Sequence, residues 1–402
     1  MPMFLRRFLH SVYLLLMKTV VKLSPGVRHM LFAGSGSSRE LCAHIARTGV
    51  KKVLVVTDKP LRELGIVDQA AAGLVEAGLD LAYYDGVLPD PTYSQVAEGA
   101  AVASEHGSEA VLAIGGGSSI DAAKVIAAAA TSDDSPQNWV GFGKVKHDTL
   151  PLYAVPTTSG TGSEATIGAV VKDESTREKN IISGTTLLPV AAALDPDLLM
   201  GLPQHITAAT GIDALTHGIE AYIGVWDRDT RKADARLAIK LVFDHLVTAY
   251  NDGGDREARM GMAMGAYYAG LAINQVNVGN VHAIAHQLGG KYGIPHGLTN
   301  ALVLPHILEF CQKEAEQDLA DLAVLVGAGD SSEDPSTLAT KFIQAVRDLR
   351  AAVGIADRSE LLQREDFETL TQQALAEGFN YPAPRLLDRE SVLNILGKIA
   401  PR

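Results

Sequence analysis

The chain has 402 residues, of which 47% are hydrophobic and 20% charged, a balance typical of a folded globular protein. This length exceeds what one ordinary hydrophobic core holds, so two domains are expected. The net charge of −12 disfavours a nucleic-acid partner, because phosphate backbones are repelled. Only two cysteines occur, Cys42 and Cys311, far apart. They disfavour a thiolate metal site and a disulfide framework, and we expect a reducing, cytoplasmic location.

The N-terminal segment combines basic and apolar residues. Arg6 and Arg7 precede an apolar stretch at 12–17, which is interrupted soon afterwards by lysines and is too short to span a bilayer. No small-residue cleavage site follows cleanly. We therefore interpret residues 1–28 as an amphipathic helical extension packed on the body or on a partner subunit. Attachment to a membrane surface and a cleaved signal peptide stay open as alternatives.

Strand and helix patterns alternate along the next part of the chain. Apolar runs predict strands at 51–58, 79–85, 110–114, 152–156 and 169–172. Helical periodicity predicts helices at 61–78, 91–106 and 119–130. Continuous apolar strands between helices indicate a parallel sheet that is covered on both faces, which is an α/β fold.

The pattern changes near residue 200. Strand signals nearly vanish after Leu199, and helical periodicity predicts helices at 206–223, 229–250, 256–275, 335–353 and 391–399. We therefore predict an α/β dinucleotide-binding domain over 1–200, with the extension 1–28 at its start. An all-helical, metal-binding domain is predicted over 201–402.

A glycine-rich turn follows the strand at 110–114. Gly115, Gly116 and Gly117 let the backbone approach a ligand closely, and Ser118 adds a hydroxyl donor where the next helix begins. The N–H groups at that helix start suit a phosphate. Because Ile120 stands at the third glycine position of the GxGxxG pattern, a tight capped turn stays open as the alternative.

Three further polar segments are candidates for nucleotide contacts. Asp58 ends a strand, where a carboxylate can bind an adenosine ribose and repel a 2′-phosphate; a helix cap is the alternative. Residues 156–164 form a loop rich in hydroxyls and glycine, or a simple polar crossover. Residues 34–38 form a second Gly/Ser turn, which we interpret as a capped helix start.

Potential metal ligands occur at helical spacing in the second half of the chain. Asp213 and His217 lie four residues apart, as do His282 and His286, and His296 follows shortly afterwards. Residues four apart share one face of a helix. One carboxylate and several imidazoles suit a divalent metal, although each residue alone is more often a core or surface group.

Five segments together resemble the iron-containing (group III) alcohol dehydrogenases over roughly residues 30 to 310. The segments are Gly115 to Lys124, Pro156 to Glu164, Gly211 to His217, His282 to Gly290 and Pro295 to Gly297. Beyond residue 310 only the helical character agrees. The resemblance implies a nucleotide-binding domain, a helical domain and a cleft between them that holds metal and nicotinamide.

The resemblance also implies roles for individual residues. The implied metal ligands are Asp213, His217, His282 and His296, with His286 on the substrate side as a proton carrier. The implied pyrophosphate contacts are Gly115, Gly116, Gly117 and Ser118. The implied nucleotide contacts are Thr157, Thr158 and Thr161, with Lys179 at a ribose and Asp58 at the position associated with preference for NAD over NADP.

These features predict a metal-dependent oxidoreductase that transfers hydride between an alcohol, or its aldehyde or ketone, and NAD(H). Fe²⁺ is favoured by the resemblance alone, since Zn²⁺, Mn²⁺ and Co²⁺ also suit the ligands. We expect a homodimer with a small-molecule substrate. The alternatives are a polyol or glycerol dehydrogenase, a maleylacetate reductase-like enzyme and a dehydroquinate synthase-like enzyme on the same fold. More distant alternatives are a metal-dependent hydrolase and a non-catalytic sensor.

Four positions depart from the commoner pattern of this family. Asp90 stands where many members carry Asn, and Asn277, Asn280 and Lys291 stand where apolar residues are frequent. These changes leave the implied metal ligands intact. They predict a more polar substrate entrance, suited to a hydroxylated or acidic substrate.

Overall fold

A computed structural model of the chain describes residues 3–23, 28–176, 178–226 and 229–402. Its internal contacts group the chain into two compact units. The sheet unit contains Val27–Leu202 and Gly253–Gly270, and the helical unit contains Met1–Gly26, Pro203–Asp252 and Leu271–Arg402. The division into domains at 1–200 and 201–402 stays a prediction, as does a cleft between them.

Six parallel strands form the main sheet of the sheet unit, in the order β1-β9-β6-β4-β2-β3. A smaller sheet has the order β5-β8-β7, with β7 and β8 antiparallel. The strands are β1 Met30–Ala33, β2 Lys52–Val56, β3 Asp80–Tyr84, β4 Ala110–Gly115, β5 Gly141–Phe142, β6 Leu152–Pro156, β7 Gly168–Lys172, β8 Lys179–Ser183 and β9 Ala191–Leu194.

The helices alternate with these strands and then follow one another. They are α1 Met3–Leu23, α2 Ser37–Arg47, α3 Lys59–Glu63, α4 Ile66–Glu76, α5 Tyr93–His106, α6 Gly117–Ala129, α7 Gln204–Ile223, α8 Asp229–Asn251, α9 Arg256–Val276, α10 Asn280–Tyr292, α11 His296–Cys311, α12 Glu316–Leu325, α13 Pro335–Ala352, α14 Phe367–Gly378 and α15 Arg389–Ile399.

Apolar side chains cover both faces of the main sheet. Along β2, Leu54 and Val56 belong to the core on one face, and Val53 and Val55 belong to the core on the other. All four are fully buried. Helices α5 and α6 pack on one side and α2 and α4 on the other. The predicted parallel sheet with two covered faces is therefore confirmed.

Two differences from the predicted elements have physical causes. The single helix predicted at 61–78 is interrupted, because Gly65 adopts a φ of +75°, which ends one helix and precedes the start of α4. The edge strand β1 and its neighbour β9 were not predicted. Strand β9 consists of three alanines and a leucine, which lack the β-branched side chains that usually mark a strand.

Beyond Leu194 the described part of the chain contains helices and turns but no strand. In the helical unit, α7 is buried almost all round and packs against α8 and α11. The prediction of a mostly helical second half is confirmed.

One close backbone approach fixes the loop that follows β6. Gly162 has a φ of +62°, and a Cβ at this position would lie 2.4 Å from the carbonyl oxygen of Ala266 and 2.7 Å from the Cα of Gly270. Both neighbours are backbone atoms of α9, which have no freedom to move aside. A residue without a side chain is therefore required on this loop.

We predict that Gly162→Ala lowers the free energy of unfolding by at least about 2 kcal/mol more than Gly143→Ala does. Gly143 is a matched control, because its φ of +64° is similar and a Cβ there meets nothing within 4 Å. Chemical denaturation of both variants measures the difference. Equal losses would show that the backbone contact at Gly162 does not restrict the loop.

Candidate functional site

Helix α7 carries three ionisable side chains on one face. Asp213, His217 and Glu220 follow one another at spacings of four and three residues, which place them on the same side of the helix. Their exposed fractions are 2%, 4% and 5%. Ionisable groups buried to this degree need partners that offset their lost hydration.

Helices α10 and α11 supply the remaining histidines of the group. His282 lies on α10 and is 1% exposed, and His296 is the first residue of α11. One ligand atom from each of Asp213, His217, His282 and His296 lies within 4.8 Å of the others. All four residues belong to the helical unit.

The imidazoles meet through atoms that can act as metal ligands. The Nε2 atoms of His217 and His282 are 3.0 Å apart, and Asp213 Oδ1 lies 3.5 Å from the Nε2 of His296. The rings of His217 and His282 stack with centroids 4.8 Å apart. Two neutral imidazole nitrogens that face each other across 3.0 Å are favourable only with a proton or a cation between them. The arrangement therefore fits a divalent cation.

A neighbouring amide interacts with the same atoms. Asn300 Nδ2 donates to Asp213 Oδ1 at 2.6 Å and lies 3.2 Å from the Nε2 atoms of both His282 and His296. The positively polarised N–H groups of this amide thus approach three of the four potential ligands. This preference for positive charge is an independent sign that the donor set suits a cation.

Glu220 contacts Nδ1 of His282, the ring nitrogen that does not face His217. Its Oε2 lies 2.6 Å from His282 Nδ1, and its two oxygens accept hydrogen bonds from the N–H groups of Gly279 and Val281 at 2.7 and 2.6 Å. With Nδ1–H donating to Glu220, the lone pair of His282 Nε2 faces the other potential ligands. Burial raises the pKa of Glu220 to about 8, although backbone N–H groups oppose that rise. A nearby cation favours the ionised form.

Burial also affects His282. It holds the pKa of this imidazole well below its usual range, and the three neighbouring histidines add to the effect. The neutral form is the one that binds metals.

His286 lies beside this group but makes different contacts. Its Nδ1 is 2.5 Å from Glu377 Oε1, and its ring stacks on that of His296 at 5.2 Å. Glu377 also accepts hydrogen bonds from Tyr381 and Gln287 at 2.5 Å. Burial raises the pKa of Glu377, but these hydrogen bonds outweigh burial and lower it. The ionised Glu377 therefore fixes the orientation of the His286 ring.

The residues that support the histidines were not predicted from the sequence. Glu220 follows His217 by three residues in an apolar helix. The helical spacing that relates Asp213 to His217 is therefore a signal that could have identified Glu220. Asn300 follows His296 by four residues in a similar way. Glu377 and Tyr381 lie beyond residue 310, where no recognisable segment pointed to them.

In the sheet unit, the glycine turn lies directly beneath the hydroxyl-rich loop. A Cβ on Gly117 would be 2.6 Å from Thr161 Cγ2, and a Cβ on Gly116 would be 3.3 Å from Thr158 Oγ1. The N–H of Thr157 donates to the carbonyl of Gly115 at 3.0 Å. Among the described residues, no side chain caps the start of α6, whose N–H groups thus remain suited to an anion.

A buried lysine ties the loop to α6. The ammonium of Lys124 is fully buried and donates to the hydroxyls of Ser163 and Thr166 at 3.1 and 2.9 Å and to the Gly168 carbonyl at 2.5 Å. Asp121 accepts from Ser163 and from the N–H of Val170. These bonds fix the position of the hydroxyl-rich loop relative to the glycine turn.

The remaining predicted nucleotide residues have other contacts. Asp58 accepts a hydrogen bond from the N–H of Leu61 at 3.0 Å and caps α3, which was the alternative interpretation. Lys179 lies on β8 of the smaller sheet, and its ammonium is 2.6 Å from Asp90 Oδ1. These contacts do not test the predicted roles of Asp58 and Lys179 in binding the nucleotide.

The second Gly/Ser turn is occupied by a carboxylate of the protein itself. Asp195 accepts from the N–H of Gly36 and from the N–H and hydroxyl of Ser38, at 3.2, 3.2 and 2.6 Å. These bonds fit the interpretation of this turn as a capped helix start.

Comparison with known proteins identifies the family. A sequence profile described as iron-containing alcohol dehydrogenase matches residues 29–196, and a profile of the C-terminal part of the same family matches residues 207–400. The chain belongs to the iron-containing alcohol dehydrogenase family. The second match extends the likeness well beyond residue 310, where the recognised segments ended.

Individual relatives of this family have diverse names. The chain is 38% identical to alcohol dehydrogenase 4 of Saccharomyces cerevisiae strain YJM789, over 91% of this chain and 96% of that protein. It is 34% identical to an NAD-dependent methanol dehydrogenase of Bacillus methanolicus, over 90% and 96%. A solved structure of 1,3-propanediol oxidoreductase superposes with a TM-score of 0.88 at 36% identity, over 92% and 97%. All three names are those of alcohol-oxidising or carbonyl-reducing enzymes.

Contacts in the structure account for the four departures from the family pattern. Asp90 and Asn277 adopt φ of +58° and +73°, a conformation that Asp and Asn tolerate better than most residues. Asn280 donates to the carbonyl of Arg385 at 2.8 Å, and Lys291 pairs with Asp366 at 2.8 Å. Local structure thus explains these polar residues without a polar substrate.

We predict that Glu164→Gln removes part of the pH dependence of stability. Burial raises the pKa of Glu164 from 4.5 to about 7, so its neutral form stabilises the fold below pH 4.5 and that stability is lost as the pH rises through about 7. Gln keeps the neutral shape. The variant should therefore be more stable than the natural protein above pH 7, by on the order of 2 kcal/mol, and similar near pH 4.5.

Urea denaturation across this pH range measures the effect, and Glu105→Gln on the exposed face of α5 is the control. Parallel pH profiles for the natural protein and Glu164→Gln would contradict the prediction.

Proposed function

We propose that this chain is a metal-dependent alcohol dehydrogenase that transfers hydride between an alcohol and NAD(H). The observation that carries the proposal is the convergence of one carboxylate and three imidazoles within 4.8 Å, in a chain of the iron-containing alcohol dehydrogenase family. Mixed nitrogen and oxygen ligands of this kind suit a catalytic divalent metal.

Asp213, His217, His282 and His296 are the residues proposed to hold the metal. A bound divalent cation would supply Lewis acidity, which lowers the pKa of a substrate hydroxyl. Glu220 keeps His282 in the tautomer that presents Nε2 as a ligand. We propose Fe²⁺ from the family, since the ligand types also suit Zn²⁺.

His286 is proposed to move the substrate proton. Its Nδ1 is held by Glu377, which leaves Nε2 to accept or release a proton. Its side chain is 23% exposed, compared with 2% for His282, so water can exchange protons with it. Glu377 positions the ring through its contact with Nδ1, and Tyr381 acts on the ring only through its hydrogen bond to Glu377.

The glycine turn and the loop above it are proposed to bind NAD(H), which supplies the hydride acceptor. The backbone N–H groups of Gly115, Gly116, Gly117 and Ser118 would hold the pyrophosphate. Thr157, Thr158 and Thr161 would donate to the nucleotide, and Lys179 would contact a ribose. Asp58 would repel a 2′-phosphate. The relative from Bacillus methanolicus, whose name includes NAD, supports this choice of cofactor.

A small alcohol, diol or the corresponding carbonyl compound is the proposed substrate class. Methanol and 1,3-propanediol appear in the names of relatives, and both are short and primary. A homodimer and a cytoplasmic location are further proposals from the sequence.

We predict that His282→Ala lowers metal affinity at least about 100-fold and abolishes NAD reduction while the fold persists. Loss of an outer-shell partner alone typically lowers affinity 10- to 100-fold, and loss of a ligand should cost more. Metal content by mass spectrometry, circular dichroism and NADH absorbance measure the three properties. His205→Ala, at the exposed start of α7, is the control. Turnover by a metal-free His282→Ala protein would refute the proposed centre.

We also predict that removal of the Asp58 carboxylate relaxes the preference against NADP. Asp58→Gly removes both charge and side chain, whereas Asp58→Asn keeps a capping side chain for α3 and loses only the charge. Both should raise the ratio of kcat/KM for NADP to that for NAD by about tenfold, which corresponds to 1.4 kcal/mol of removed repulsion. An unchanged ratio in both variants would exclude this role of Asp58.

A further inference from the structure

The proposed dehydrogenase reaction gives no role to helix α1. It spans Met3–Leu23, and the family profiles match only from residue 29 onwards. The similarity to the Saccharomyces cerevisiae relative extends over 91% of this chain and 96% of that protein. The described helix is therefore an addition to the domains that carry the dehydrogenase site.

One face of α1 is fixed to the helical unit by polar contacts. Arg6, His10 and Tyr13 share this face, since they lie four and three residues apart. They contact the carbonyl oxygens of Leu375, Phe379 and Asn380, respectively, at 3.0 Å for His10 and 3.3 Å for Tyr13. The rings of His10 and Phe379 also meet, with centroids 5.4 Å apart. The helix thus has a defined inner face.

The opposite face presents a stripe of large apolar side chains to the outside. Its six members are Leu5, Phe8, Leu9, Val12, Leu15 and Leu16. Phe8, Leu15 and Leu16 are 63%, 68% and 61% exposed. The spacing of three and four residues aligns all six along one side of the helix. A contiguous exposed apolar surface of this kind typically marks an interaction site.

The charge of helix α1 itself is opposite to that of the whole chain. The helix contains four of the 35 Lys and Arg residues and none of the 47 Asp and Glu residues, although Asp388 of the helical unit interacts electrostatically with Arg6 and Arg7. Arg7 and Lys18 are exposed, and their helical positions flank the apolar stripe on one side. The helix therefore combines a basic edge with an apolar face in a protein of net charge −12.

We propose that α1 docks this protein on the surface of an anionic lipid bilayer. Such a surface offers acyl chains for the apolar stripe and phosphates for Arg7 and Lys18 in the same plane. In the described part of the chain, no helix has the length and apolar character needed to cross a membrane. The proposed contact is therefore with the bilayer surface only. An antiparallel pairing with a second copy through the same helices fits less well, because it would bring the two basic edges together.

Vesicle co-sedimentation of the full chain tests this proposal. We expect binding to vesicles of phosphatidylcholine mixed with phosphatidylglycerol, weaker binding to phosphatidylcholine alone, and a loss of the difference at high salt. The double variant Phe8→Ser/Leu15→Ser should bind at least about tenfold more weakly, since two large apolar side chains would no longer be buried in the acyl region. Arg7→Gln/Lys18→Gln should lose about tenfold on anionic vesicles only.

Matched control variants distinguish the effect of the stripe on vesicle binding from that of other exposed apolar side chains. Leu64→Ser and Leu361→Ser remove side chains that are 72% and 54% exposed elsewhere on the surface, and both should leave vesicle binding unchanged. All variants should keep their circular dichroism and dehydrogenase activity. Absent binding to anionic vesicles, or equal binding by Phe8→Ser/Leu15→Ser, would overturn the proposal. A change of that variant from dimer to monomer by light scattering, without vesicle binding, would instead assign the stripe to self-association.

Discussion

Buried ionisable groups in the helical unit must be neutralised, and the arrangement of the site depends on this requirement. Asp213, His217, Glu220 and His282 are each at most 5% exposed, and uncompensated groups of this kind are costly to bury. Hydrogen bonds from Asn300 and from the backbone near Gly279 satisfy some of their atoms. The facing nitrogens of His217 and His282 are left with a contact that needs a shared proton or a cation between them. A divalent cation meets this requirement, and the same cation would activate an alcohol.

A second constraint, in the sheet unit, is the close fit of two polar segments. A side chain on Gly117 would clash with Thr161 and one on Gly116 would crowd Thr158, and the fully buried Lys124 holds the loop in place from α6. Burial lowers the pKa of Lys124 to about 8, while Asp121 and Glu164 oppose that change. The network is costly to assemble, and it gives the residues proposed to bind the nucleotide a fixed geometry. Such preorganisation is what a hydride-transfer site needs.

Short-range patterns in the sequence predicted those parts of the structure that depend on local spacing. The pairs Asp213/His217 and His282/His286 lie on helices as expected, and the glycine turn joins β4 to α6. Sequence spacing could not reveal contacts between distant segments. Glu377 reaches His286 from 91 residues away, and Asp195 caps α2 from 157 residues away. Strand β9 is defined by its pairing with β1 and β6, because its alanines have little intrinsic preference for a strand.

The cysteines illustrate how the environment decides chemistry. Cys42 and Cys311 are both free and buried, and burial raises the pKa of their thiols to about 11 and about 12. Neither is therefore suited to act as a thiolate ligand or nucleophile. The proposed metal centre accordingly uses imidazole and carboxylate groups, and the sequence has no paired cysteine motif.

Anomalous diffraction from crystals reconstituted with Fe²⁺ or Zn²⁺ tests the central claim most directly. Data collected on both sides of the metal absorption edge should give one strong peak, about 2.0–2.2 Å from a carboxylate oxygen of Asp213 and from one nitrogen each of His217, His282 and His296. A peak at other residues, or no peak in fully reconstituted crystals, would contradict the account.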